Sequence, residues 1–179
     1  MTPGVRALLS TACLLTVAPL AFAGSGTPND PYLSSSGAWN QLFADQWALA
    51  KIGFTPKGSG TSAWDIETGE GKPVIVAVLD TGIDFYHPDL KKETIWRNPK
   101  PNKKGDDKNG YVNDLIGWNF VENHNNVWDD DGHGTFVAGI IAAASNNGLG
   151  IAGLNWGVRI MPLKIMDTFG HGRAFNVAK

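Results

Sequence analysis

Two short stretches carry side chains whose types and spacing could do chemistry. The first is Asp80, which follows the apolar run Val74-Ile75-Val76-Ala77-Val78-Leu79 and precedes Thr81-Gly82. The second is His133, set between glycines in Asp-Gly-His-Gly-Thr. An acid at the carboxyl end of a buried parallel strand stands where open α/β sheets place their sites. A histidine at a helix start has little steric cover. If a carboxylate holds one ring nitrogen, the tautomer is fixed and the other nitrogen can take a proton from a nucleophile. Taken singly, Asp80 reads equally well as a turn or capping aspartate, and His133 as a loop histidine.

The flanking sequence supplies elements able to hold these two residues. Val74–Leu79 is rich in β-branched residues, lies between Gly71-Lys72-Pro73 and Asp80-Thr81-Gly82, and reads as a central parallel strand. Thr135–Ser145 has the length and small-residue content of a helix packed closely on a sheet, with Gly139 permitting close approach. Arg159–Ile165 reads as a second buried strand, although Pro162 points to an edge or irregular position. Strand, helix, strand implies an α/β domain with a parallel sheet flanked by helices. Upstream, a helix is expected from Asp45 through Ile52, stopped by Gly53. Another should run from an Ser62 N-cap through Thr68, closed by Gly69. Residues 93–131 are polar and turn-rich and predict a long surface excursion, within which Asp129-Asp130-Asp131 reads as a solvated turn. No internal repeat is present.

The chain opens with Arg6, an apolar stretch near Ala7–Val17 and Ala21-Phe22-Ala23, the pattern of a secretory signal peptide covering residues 1–23. Residues 24–44 are rich in Gly, Ser, Pro and Asn and read as an extended arm, neither helix nor strand, ordered by docking; residues 45–179 form the domain proper. The only cysteine, Cys13, lies in the leader, so no disulfide can staple the exported part and bound metal becomes a plausible source of stability. Without Arg6 the balance is 14 basic against 17 acidic side chains, which gives no electrostatic footprint for nucleic acid or an anionic membrane. A secreted monomer that meets neither is expected.

The stretches VAVLDTGIDFYHPDL and DGHGTFVAGIIAAASNNGLGIAGL resemble, almost residue for residue, the aspartate and histidine signatures of the subtilisin-like serine proteases. The resemblance spans roughly Thr27 to Lys179. It implies a subtilisin-like fold that breaks off before its later strands. It also implies a secreted endopeptidase in which Asp80 orients the general base His133. Three departures stand out. Phe136 replaces the family's usual second histidine and is expected to pack rather than react. Only a short arm occupies the place of an inhibitory pro-domain. The serine motif and the asparagine of the oxyanion hole do not occur, because Gly60-Thr61-Ser62 precedes the aspartate motif and reads as a helix cap. The chain therefore reads as a fragment or truncated product.

The same resemblance implies structural calcium. Asp89 and Asp30 match carboxylate ligands, Asn147 would add a side-chain oxygen, and Ser145, Leu149 and Ile151 would add carbonyls, an all-oxygen set that suits calcium. A second calcium loop is suggested by Asp107, Asn109 and Asp114, against an ordinary turn. Gly170, His171 and Gly172 align with the family's edge segment that pairs with an extended peptide or protein substrate. Two other readings compete: a non-catalytic calcium-binding or interaction protein on a degenerate scaffold, and a metal-dependent hydrolase, which no second histidine at ligand spacing supports.

Overall fold

The computed structural model describes residues 27–54, 61–71, 73–100 and 109–178. The expected leader and Asp107 lie outside them. Strand β1 spans Ile75–Asp80, β2 Trp118–Asn119 and β3 Arg159–Lys164, in the order β1-β3-β2 with both pairings parallel. Helix α1 spans Pro31–Ser34, α2 Trp47–Lys51, α3 His133–Ala142 and α4 Ala174–Val177. This is the anticipated parallel sheet with helices.

Among the described strands β3 is central and β1 lies at the side, the reverse of the expectation. The reason Pro162 is tolerated is visible in the register. Odd residues of β3 donate toward β1, as Arg159 N does to Val74 O and Ile165 N to Asp80 O. Even residues face the other flank, where Pro162 lacks a donor. That flank is split: Ile95 bridges Ile160, and β2 begins opposite Leu163, so Pro162 falls between the two partners. Gly117, at φ 153°, lets the chain enter there, since a Cβ on it would stand 1.8 Å from Pro162 O. Part of the presumed surface excursion is thus a sheet strand, with Trp118 and Asn119 both buried.

Helix α3 lies on β1 and β3. Its buried Ala138 and Ala142 meet Val78, Ile83, Leu90, Ile95, Val158 and Ile160 in one core, while Leu49, Trp64 and Ala152 form a smaller one. The helix begins two residues before the expected Thr135, with Gly132 as its N-cap, and ends three before Ser145, where Ala143 leaves the helical region at ψ 148°. Between Ser62 and Thr68 only a 3₁₀ turn, Ala63–Asp65, forms, closed by a capping box between Ser62 and Asp65. The arm contains a helical turn, α1, with Pro31 at its first positions, and docks through Tyr32 N donating to Gly150 O at 3.1 Å. Phe136 is exposed and does not pack as expected.

Candidate active site

The end of β1, residues 127–132 and the first turn of α3 interlock through glycine. Gly82 adopts φ 119°, and a Cβ there would stand 2.6 Å from both Val127 O and Trp128 O; a Cβ on Gly134 would stand 2.1 Å from Gly82 O. No side chain fits at either crossing, so backbone lies directly on backbone. This seats the first residue of α3, His133, over the last residue of β1.

His133 Nδ1 lies 2.8 Å from Asp80 Oδ1 and 3.0 Å from Oδ2. The Asp80 side chain is 10% exposed and that of His133 61%. Asp80 Oδ1 also accepts from Thr81 N at 2.7 Å, which fixes the carboxylate plane. The hydrogen bond that Asp80 accepts from the ring, and then its charge, raise the imidazole pKa above its ordinary value, with smaller contributions from the charges of Asp131 and Asp129. With Nδ1 held by the carboxylate, Nε2 faces outward and can accept and return a proton.

Asp129, which composition assigned to a solvated turn, is 8% exposed and organises the surroundings. Its oxygens accept from Thr81 Oγ1, Gly132 N and Thr135 N, each at 2.8 Å, and from Thr135 Oγ1 at 2.5 Å. Burial pushes this carboxyl up, but the bonds from Thr135, Gly132 and Thr81 outweigh it and hold the pKa below the usual aspartate value. Lys164 is a second residue that the motifs did not single out. It is 3% exposed, and its Nζ donates to Thr81 O at 2.5 Å and to Asp130 Oδ1 at 2.6 Å.

The proposed metal ligands fall into two groups. Asp30 and Asp89, both buried, converge on residues 145–151: Asp30 Oδ2 accepts from Asn146 N at 2.9 Å, and Asp89 accepts from Asn147 Nδ2 at 2.8 Å and Ile151 N at 2.9 Å. Gly150, at φ 51°, is needed there, since a Cβ would stand 2.1 Å from Asp89 Oδ2. Ser145 and Leu149 belong to the same turn. Among the described residues neither carboxylate meets a lysine or arginine. Two buried carboxylates that hold only amide donors and no cationic side chain fit a hard cation, which would take over Asn147 Oδ1 from Leu149 N, its donor here at 2.8 Å. No three of His, Cys, Asp or Glu converge among the described residues, so a cation would also depend on neutral oxygens. In the other loop, Asp114 spends both oxygens on side-chain amides, accepting from Asn98 Nδ2 at 2.8 Å and Asn109 Nδ2 at 2.9 Å. Asn109 Oδ1 in turn accepts from Tyr111 N, which is turn geometry.

Gly170, His171 and Gly172 are exposed in a hairpin beside the histidine loop, joined to it by Thr168 Oγ1 donating to Asp130 O at 3.2 Å. Gly172 bridges Met166 in antiparallel fashion, and Asp167 N donates to His171 O at 3.0 Å. That pattern makes Met166–Gly172 a non-hydrogen-bonded pair, so Gly172's own N–H and C=O point outward.

Comparison with known proteins bears on the family and the fold. A family model described as "Subtilase family" matches residues 71–179. The chain is 34% identical over 152 residues to thermitase of Thermoactinomyces vulgaris, covering 85% of this chain and 41% of that protein. It is 43% identical over 108 residues to subtilisin-like protease 1 of Plasmodium falciparum (isolate 3D7), covering 58% and 16% respectively. A solved structure described as proteases from Pseudoalteromonas arctica PAMC 21717 aligns at TM-score 0.50 and 29% identity, over 86% of this chain and 42% of that one. The chain thus spans 16–20% of the length of the Plasmodium relatives and less than half of thermitase.

Proposed function

The chain belongs to the subtilase family, and on that premise we propose that it supplies the acid–base half of a secreted serine endopeptidase. His133 is the general base and then the general acid, and Asp80 its orienter. The observation that carries this reading is the His133 Nδ1 contact with both oxygens of buried Asp80, at 2.8 and 3.0 Å, beneath an exposed ring. A serine outside the 179 residues would lose its proton to Nε2 and attack the peptide carbonyl. The imidazolium, stabilised by Asp80, would then return the proton to the leaving amine, and water would repeat the cycle on the acyl-enzyme.

The substrate would be an extended peptide, with Gly172 offering its outward backbone groups and Gly170 and His171 shaping the rim. Residues 1–23 would direct export and 45–179 form this part of the peptidase domain. Calcium, when bound, would be held by Asp30, Asp89, Asn147 and the carbonyls of Ser145, Leu149 and Ile151, pinning the arm to the loop after α3. We do not extend it to Asp114 and Asn109, where the described residues supply one carboxylate against the two of Asp30 and Asp89.

Two measurements test the reading. The whole protein should cleave casein and be labelled by a fluorophosphonate, whereas residues 24–179 alone should do neither, having His133 and Asp80 but no motif serine. Asp80→Asn in the whole protein should lower turnover about 10⁴-fold through the wrong imidazole tautomer. Undiminished cleavage by Asp80→Asn or His133→Ala would overturn the assignment.

A further inference from the structure

We infer that Asp129 is a positioning residue of the Asp80–His133 pair: it fastens the first turn of α3 to the β1 turn and so sets where the His133 ring meets Asp80. The inference rests on the reading of that pair as base and orienter.

A helix start leaves its first backbone N–H groups without partners in the helix. The N-cap of α3 is Gly132, at φ 106°, which has no side chain to accept a bond from the first turn. Three side chains replace it. His133 N donates to Asp131 Oδ1 at 3.1 Å, Gly134 N to Thr81 Oγ1 at 2.9 Å, and Thr135 N to Asp129 Oδ2 at 2.8 Å. Phe136 N closes the first helical bond to Gly132 O.

Asp129 stands under two of these three. The Thr81 hydroxyl, having accepted from Gly134, donates its proton to Asp129 Oδ1. The Thr135 hydroxyl donates to Asp129 Oδ2 and accepts from Asp84 N at 2.9 Å. One carboxylate therefore binds α3 to both ends of the β1 turn, Thr81 and Asp84. Because His133 is the first helical residue, any slide of that turn moves its ring across Asp80.

The position calls for a carboxylate in particular. Thr81 and the amides of Asp131 and Gly132 all aim donors at Oδ1, while Thr135 aims two at Oδ2. An asparagine would set its own NH₂ against donors on one side or the other, and bonds to a charged acceptor are about twice as strong as neutral ones. The charged groups around it are Asp80 and Asp84 on the β1 turn, Asp130 and Asp131 on its own loop, His133 on α3, and Lys164 of β3, which reaches Thr81 O and Asp130.

The test is the titration of the His133 ring, followed by NMR in the chain labelled at histidine, for the natural sequence and for Asp129→Asn, Thr81→Val and Asp80→Asn. Asp80→Asn should move the midpoint furthest toward free imidazole. Asp129→Asn and Thr81→Val should both move it the same way; Thr81→Val leaves every charge in place, so its effect reports a loosened Asp80–His133 contact. In the whole protein Asp129→Asn should lower kcat about 10- to 100-fold with KM unchanged, the size of a small misplacement of a reacting group. A midpoint that falls in Asp129→Asn and stays put in Thr81→Val would mean that Asp129 acts by charge alone, and the inference would fail. It would fail equally if neither variant moved a midpoint that Asp80→Asn lowers, with α3 intact by circular dichroism. Should Asp129→Asn not fold, Thr81→Val decides. If Asp80→Asn itself leaves the midpoint unchanged, the reading of the pair is what falls.

Discussion

Gly134 is the second residue of α3, and helix propensity alone favours replacing it, since alanine is better than glycine by about 1 kcal/mol in a helix interior. The structure predicts the opposite sign. A Cβ at this position would stand 2.1 Å from Gly82 O, 3.1 Å from Gly82 N and 3.2 Å from Asp80 Cβ, and contacts below 3.0 Å do not occur for real Cβ atoms. The obstacle is backbone, so no rotamer relieves it. Gly82 cannot retreat either, being pressed against Val127 O and Trp128 O and followed by the bond from Ile83 N to Val127 O at 2.9 Å. The helix must lift instead, stretching the Gly134 N to Thr81 Oγ1 bond. Overpacking of this kind costs about 1–3 kcal/mol, and a lost cap about 1 kcal/mol more. Set against the propensity gain, Gly134→Ala should destabilise the chain by about 2 kcal/mol, which for a chain of this size lowers the melting temperature by roughly 4–8 °C. Thermal and urea unfolding followed by circular dichroism reads this directly. The His133 midpoint should fall as well, because the ring lifts away from Asp80. A variant as stable as the parent, or more stable, would refute the seating of α3 on the β1 turn.

The peptidase rate of the whole protein should rise with pH through the titration of His133, which must be neutral to act as base. Asp131→Asn keeps an acceptor for His133 N while removing a charge that raises the imidazole pKa, so the acid limb of the pH–rate profile should move to lower pH. The depressed Asp129 pKa implies stability that is present above the ordinary aspartate value and lost as pH falls through the lower folded one. Asp129→Asn should therefore flatten the acid limb of a stability–pH curve measured by urea titration. Calcium at 100-fold its dissociation constant should stabilise the whole protein by about 2.7 kcal/mol. Asp89→Ala should abolish that gain, and a melting curve indifferent to both calcium and chelator would count against the site.

Elements with a strong local pattern were legible. The β-branched run before Asp80 and the small-residue stretch after His133 became β1 and α3, within two or three residues. What was not legible depended on partners distant in sequence. Trp118-Asn119 is too short to show a period, and it becomes a strand only because Gly117 lets the chain lie beside Pro162 and Phe120 N can reach Lys164 O at 2.8 Å. Pro162 read as an edge signal because a central strand ordinarily needs donors on both flanks. Here one flank is interrupted at that residue, a fact that no reading of Arg159–Ile165 alone could supply. The docking of the arm followed from two buried aspartates on separate segments, and only the resemblance to a family put Asp30 and Asp89 together.

The site divides in the same way. Asp80 and His133 were legible because glycines crowd both, and the structure explains those glycines as backbone crossings rather than as flexible turns. Asp129 was hidden by its neighbours, since three successive aspartates look alike in composition. Their environments differ sharply: Asp129 is 8% exposed, while Asp130 and Asp131 are exposed. The distinguishing signal was Gly132 itself. A glycine at the N-cap leaves the first-turn donors without a local acceptor, so an acid must reach back from just upstream, and Asp129 with Thr135 is spaced to do so. Lys164 also had a readable mark. In β3 the buried positions alternate through Ile160, Pro162 and Lys164, which places a lysine on the inward face of a strand. A buried ammonium requires acceptors, and those it finds, Thr81 O and Asp130 Oδ1, lie on the turn and the loop that hold Asp80 and His133 together.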